Sequence, residues 1–230
     1  MERLGTEIRI LSLVEGKSTS ATLKQLEAEE EKGESKRGPR LALLGSGTGS
    51  NVRALIDAVE SGMLDAEVAV VLSDVDDSGV LQIAKEKNLP ALHIDPGTQK
   101  RGRLTDAALK EIVDRLEAHR VDLVILAGFM RVIREPLLSS FPARILNVHP
   151  SLLPKFPGLN AARQALGAGE TETGTTIHLV DSTIDGGKIL VQATVPILEG
   201  DDEHSLQARV QEQEHRLYAK AIGEYWKTNQ

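Results

Sequence analysis

Runs of consecutive apolar residues alternate with amphipathic stretches along most of the chain, and this alternation predicts the fold. LALLGSG (41–47) is an apolar run ending in glycines, as in a strand buried on both faces. Val52, Leu55, Ile56 and Val59 follow at helical spacing, with Ser50-Asn51 expected as the N-cap. VAVVLSD (68–74) predicts a second strand, SGVLQIAKEKN (78–88) a short helix and ALHI (91–94) a third strand. TDAALKEIVDRLEAH (105–119) has the periodicity of an amphipathic helix, VDLVILAGF (121–129) of a central strand, and ARILNVH (143–149) of another. Such βα alternation implies an α/β protein with a mostly parallel, Rossmann-like open sheet and helices on both faces.

The pattern changes after residue 172. TGTTIHLV (173–180) and KILVQATVPI (188–197) predict an antiparallel C-terminal strand pair around DSTIDGG, whose Asp-Gly-Gly reads as a tight turn. Residues 204–226 form a long helical pattern with Leu206, Val210, Leu217, Ala221 and Tyr225 on one face. Residues 1–38 lack any such burial pattern. They hold a dense charge run closed by Gly38-Pro39 and are expected to be a charged N-terminal extension, peripheral or partly disordered, with residues 8–14 as a candidate edge strand. The expected domain is 39–230.

Composition narrows the class. The 230 residues carry a formal net charge of -7, which argues against nucleic acid as the main partner. Without cysteine there is no disulfide, thiolate metal site or cysteine nucleophile, and a reducing compartment fits. No stretch approaches the roughly 20 apolar residues of a membrane span, and the first residues fit neither a secretory signal nor a transit peptide. The expectation is a cytoplasmic protein without a membrane partner.

Two places carry candidate chemistry. In GSGTGSN (45–51) glycines can turn successive N–H groups toward one point at a helix N-terminus, which welcomes an anion. The alternatives are a phosphate site, a bare tight turn, or a dinucleotide loop whose third glycine is replaced by Ser50 and whose ribose-binding acid is Asp74. The second place is ILNVHPSLLPKFPGLN (145–160). Asn147 and His149 are two apart on a strand, so they share a face at the edge where open α/β sheets bind ligands. An amide N–H can donate to an oxyanion and an imidazole can carry a proton, yet the same pair equally suits a strand cap. Asp185, a turn residue by its setting, could set the tautomer of His149 if the fold brings them together. Leu153-Pro154 is a candidate cis bond. His178 reads as packed or hydrogen-bonded in its strand; no histidine spacing suggests a metal, and no G-x-S-x-G elbow occurs.

Five segments, GSGTGSN, LAGFMRVI, ILNVHPSLLPKFPG, GTTIHLVDSTIDGG and ARVQEQEH, give residues 40–226 a resemblance to the phosphoribosylglycinamide formyltransferases of the folate-dependent formyltransferase family. The resemblance implies a formyltransferase fold and transfer of a formyl group from 10-formyltetrahydrofolate, a cosubstrate, to the amine of glycinamide ribonucleotide in purine biosynthesis. Asn147, His149 and Asp185 would be the catalytic trio, with Thr176 holding a water beside it. Gly49, Ser50 and Asn51 would meet the phosphate, and Gln211 and Glu214 the ribose. The folate would lie against Leu126, Met130, Arg131, Val132 and the turn Val180, Asp181, Ser182, Thr183 and Ile184. Arg103 or Arg101 would take its glutamate tail. No metal is implied, the partners would be these small molecules, and the chain would act as a monomer or homodimer. Asp74 stands where asparagine is frequent, and Ala162 where many members have histidine. The rival readings are a formyltetrahydrofolate hydrolase and a catalytically silent nucleotide-binding relative.

Overall fold

In the computed structural model, which describes residues 37–100 and 102–229, the apolar runs become the inner strands of one sheet. The strands are β1 (Arg40–Leu44), β2 (Glu67–Ser73), β3 (Ala91–His93), β4 (Leu123–Leu126), β5 (Ile145–His149), β6 (Glu172–Leu179) and β7 (Ile189–Pro196), in the order β3-β2-β1-β4-β5-β6-β7. β1 to β5 are parallel. β6 runs antiparallel to β5 and β7 antiparallel to β6, as the change of pattern after residue 172 predicts. The helices are α1 (Ser50–Glu60), α2 (Gly79–Glu86), α3 (Asp106–Ala118), α4 (Leu137–Ser140), α5 (Ala161–Gly167) and α6 (Glu203–Thr228). The expected edge strand at 8–14 lies outside the described residues.

Side-chain alternation divides the core into two layers. Leu41 and Leu43 face one apolar cluster with Val52 and Ile56 of α1, Val80 of α2 and Ile222 of α6. Ala42 and Leu44 face the other, with Leu109, Ile112 and Leu116 of α3 and Leu137 of α4. Fully burying a leucine or isoleucine is worth about 1.5–3 kcal/mol, so strands buried on both faces hold the sheet at the centre. Among the described residues no helix is long and apolar enough to cross a membrane.

Four local expectations are corrected. The N-cap of α1 is Gly49, at φ 83° and without a side-chain cap bond, rather than Ser50-Asn51. β4 spans only Leu123–Leu126, because the chain leaves the sheet at Ala127 and turns at Gly128, φ 75°. The link between β6 and β7 runs through residues 180–188, longer than a tight Asp-Gly-Gly turn. In α6 Leu217 and Tyr225 are only half-buried, while Glu214 and Tyr218 point inward. The Tyr218 hydroxyl lies 3.0 Å from both the Leu126 and Leu146 carbonyl oxygens, which satisfies a phenol inside an apolar layer. The helices α4 and α5 carry no pattern long enough to be read from sequence.

Candidate active site

The strand order reverses at β1, whose neighbours are β2 and β4, and open α/β sheets form their ligand crevice beyond the strand ends at such a point. Three segments reach that edge: the glycine loop after β1, the 127–132 segment after β4, and the end of β5.

Along β5, Leu146 and Val148 face the cluster shared with α1 and α6, and Ile145 faces the cluster under α3 and α4. Period-two alternation therefore puts Asn147 and His149 on the Ile145 side, beyond the part of that face filled by apolar packing. Pairing with β6 sets Asn147 opposite His178 and His149 opposite Thr176, so four polar side chains share one face.

His149 is buried, 5% exposed, and each ring nitrogen faces oxygen. Nε2 lies 2.9 Å from the Phe156 carbonyl oxygen, which can only accept, so Nε2 carries a proton. Nδ1 lies 3.4 Å from Asp185 Oδ2. A protonated Nδ1 would make an ion pair with that carboxylate. Phe156 and Asp185 both adopt left-handed backbone conformations, φ 55° and 50°, which residues with a Cβ adopt at a cost. Each such turn delivers the oxygen that meets His149. The Gly158 N–H donates to Asp185 Oδ2 at 2.8 Å, tying the carboxylate to the proline-rich loop. In that loop Leu153-Pro154 is cis, and Ser151 Oγ donates to the Lys155 carbonyl at 2.6 Å.

Thr176 differs from its expected place. Its hydroxyl donates to the Ser151 carbonyl at 2.6 Å and accepts from Leu153 N at 3.0 Å and Gln192 Nε2 at 2.8 Å. One proton and two lone pairs are all a hydroxyl has. Thr176 therefore braces the loop behind His149 instead of holding a water for Asp185.

His178 is buried and hydrogen-bonded, as its strand position predicts, but one of its partners is Asn147: Nδ2 of Asn147 lies 3.1 Å from His178 Nε2. Reading that contact from sequence would have required the β5–β6 register, which no local pattern supplies. Burial pushes the His178 imidazole below its ordinary range, against a raising hydrogen bond to the Leu179 carbonyl.

At the glycine loop, Gly49 is needed for its conformation: a Cβ there would lie 2.7 Å from Ile83 Cδ1 and 3.2 Å from the Val80 backbone. Ser50 and Asn51 open α1, where the first amides have no intrahelical acceptor and the helix dipole favours an anion. Asn51 Nδ2 donates to Glu214 Oε2 at 2.7 Å, joining this loop to α6. Burial raises the Glu214 carboxyl above its usual range, with the Asn51 hydrogen bond opposing. Gln211 is one turn earlier on α6 and half-buried.

Asp74 is engaged elsewhere than at a ribose. Its carboxylate accepts from Ser46 Oγ and pairs with Arg131 Nε, both at 2.5 Å, and its side chain is 2% exposed. Arg131 also donates to the carbonyls of Lys100 and Arg103, at 3.3 and 3.2 Å. The remaining candidates for the folate wall are dispersed around the cleft. Leu126 is buried, whereas Met130, Val132 and Ile184 expose 55%, 42% and 65% of their surface. Val180 is half-buried beyond β6; Asp181, Ser182 and Thr183 are exposed, with Asp181 Oδ1 accepting from Thr183 N at 2.8 Å. Arg103 is exposed, and Arg101 lies outside the described residues.

A doubly wound α/β sheet with a glycine loop opening a helix at its switch point, and an amide and imidazole at a nearby strand end, marks the class of Rossmann-like proteins whose ligand crevice lies at the sheet edge. Comparison with known proteins narrows this. The family model described as formyl transferase matches residues 39–222, and the chain belongs to that family. Phosphoribosylglycinamide formyltransferase of Escherichia coli is 40% identical over 182 residues, 79% of this chain and 84% of that protein. The trifunctional purine biosynthetic protein adenosine-3 of Drosophila melanogaster is 45% identical over 190 residues, and the chain spans only 14% of its length. The crystal structure of glycinamide ribonucleotide transformylase 1 from Symbiobacterium toebii superposes with a TM-score of 0.77 at 45% identity, covering 81% of this chain and 86% of that one.

Proposed function

We propose that the chain transfers a formyl group from 10-formyltetrahydrofolate to the amine of glycinamide ribonucleotide. The observation that carries the reading is the convergence of Asn147, His149 and Asp185 at the edge that also holds the glycine loop. Membership of the formyl transferase family and the names of the relatives support the choice of reaction.

The amine attacks the formyl carbon and forms a tetrahedral adduct bearing an oxyanion. Asn147 Nδ2–H donates to that oxygen, and the His149 imidazolium, facing Asp185, adds positive charge beside it. Collapse breaks the bond to the folate nitrogen N10, which needs a proton as the amine loses one; His149 carries it. Gly49, Ser50 and Asn51 hold the phosphate, with Gln211 and Glu214 on the ribose side. Leu126, Met130, Arg131, Val132 and residues 180–184 flank the folate, and Arg103 reaches its tail. Thr176 serves as a brace of the catalytic loop. The chemistry calls for no metal. The lack of cysteine fits a cytoplasmic enzyme, acting as monomer or homodimer on small molecules.

Following folate absorbance with 10-formyltetrahydrofolate, with and without glycinamide ribonucleotide, tests the reading. Turnover should require the ribonucleotide. Equal turnover without it would make the protein a hydrolase, and none in either mixture a silent relative.

A further inference from the structure

His178 stands outside the trio, yet it makes the contact that decides which way the catalytic amide points. An asparagine amide can present N–H or oxygen to a cleft, and only N–H stabilises an oxyanion. Some neighbour must select between them.

The selection follows from donor and acceptor chemistry. His178 Nδ1 lies 2.9 Å from the Leu179 carbonyl oxygen, which only accepts, so Nδ1 carries the proton. The ring is 2% exposed, and burial disfavours its charged form, so Nε2 presents a bare lone pair. That lone pair faces Asn147 Nδ2 at 3.1 Å. An amide oxygen turned to the same place would set two lone pairs against each other. We propose that His178 is a positioning residue: as the Nδ1–H tautomer it accepts one hydrogen of Asn147 Nδ2 and thereby leaves the second for the reacting oxygen. The proposal rests on the formyl-transfer reading for its consequence, and on the ring's two contacts for its geometry.

The backbone supplies the means. The β5–β6 register places His178 directly opposite Asn147, where cross-strand side chains come closest. Being buried, the ring keeps this orientation without help from substrate. Asp185 Oδ1 lies 3.7 Å from His178 Nε2 and the Asp181 charge also favours a second proton, while burial and the His149 charge oppose it. Burial is the largest of these influences, so the balance favours the neutral ring. Were the ring to take that proton, Nε2 would become a donor and the amide would have to turn its oxygen inward, removing the oxyanion donor.

Long-range 1H–15N correlation on the 15N-labelled wild-type protein at neutral pH reads the tautomer directly. The expected pattern is a protonated Nδ1 and a bare Nε2 for His178; a protonated Nε2 overturns the proposal. Kinetics give the second readout. His178→Ala should lower kcat by about 10- to 100-fold, as loss of a partner behind an active side chain does at metal-bound histidines, with KM for both substrates little changed. His178→Gln, whose amide oxygen can reach the Nε2 position, should recover part of that loss. Wild-type kcat in His178→Ala overturns the proposal, and if that variant does not fold the tautomer decides alone. A bare Nε2 in a wild-type protein without formyl transfer would instead overturn the functional reading and leave the amide geometry standing.

Discussion

In the proposed reaction His149 and Asn147 divide the work according to what their atoms can do. The imidazole is enclosed by the Phe156 carbonyl and the Asp185 carboxylate, one at each ring nitrogen. The amide has one N–H toward His178 and the other available. Asn147→Ala should therefore lower kcat by about 10²–10³-fold, the usual loss for one oxyanion donor, with KM for both substrates near wild type; steady-state kinetics check this. A variant that raised KM with kcat intact would place Asn147 in ground-state binding instead. At this scale the sequence made Asn147 and His149 legible as a pair, because strand alternation alone puts them on one face. Asp185 was legible as a candidate carboxylate, but its place beside His149 was not, since the two stand 36 positions apart (185 less 149). The tasks of Thr176 and Asp74 were not legible. Each depends on partners from other elements: Ser151, Leu153 and Gln192 for the hydroxyl, Ser46 and Arg131 for the carboxylate.

Among the elements, α1 and α6, which hold the ribonucleotide in the proposed reaction, are joined by the bond from Asn51 to Glu214. The left-handed cap at Gly49 sets where α1 begins. Gly49→Ala puts a Cβ against Ile83 and the Val80 backbone and holds alanine at a positive φ, a conformation that costs about 1–2 kcal/mol by itself. Thermal unfolding should show at least that loss, and KM for the ribonucleotide should rise more than KM for the folate. The Asp202–Ser205 capping box starts α6, and Arg209 ties the segment before it, bonding both oxygens of Asp201 at 2.6 and 2.8 Å and the Pro196 carbonyl at 3.0 Å. The Arg209 guanidinium, helped by the Leu198 N–H, holds the Asp201 carboxyl well below the usual carboxylate range. A depressed carboxyl contributes stability that is complete above its unfolded value of about 4 and is lost as pH falls toward the folded value. Arg209→Met should be less stable by a constant amount from pH 7 to about pH 5, and the difference should narrow progressively as pH falls below about 4, as melts across that range would reveal. Helices with long apolar periodicity were legible in advance; α4 and α5, of 4 and 7 residues, are held by packing and loop geometry rather than by a pattern of their own. The cap of α1 was misplaced because the Asn51 side chain is drawn to Glu214, a partner 163 residues away.

For the molecule as a whole, a parallel sheet with strands buried on both faces supplies a rigid edge, and the added antiparallel pair closes the site. β6 brings His178 and Thr176 against β5, and the β6–β7 connection returns Asp185 to His149. The βα alternation and the change of pattern after residue 172 made this architecture legible. The order of strands around the switch point depends on long-range pairing and was not. The most direct test of formyl transfer follows the group itself. With 13C-labelled formyl on the folate and glycinamide ribonucleotide present, NMR should show the label leaving the folate nitrogen and appearing as a formamide on the glycinamide amine, one for each folate consumed. Label accumulating as free formate, with the amine unchanged, would contradict it.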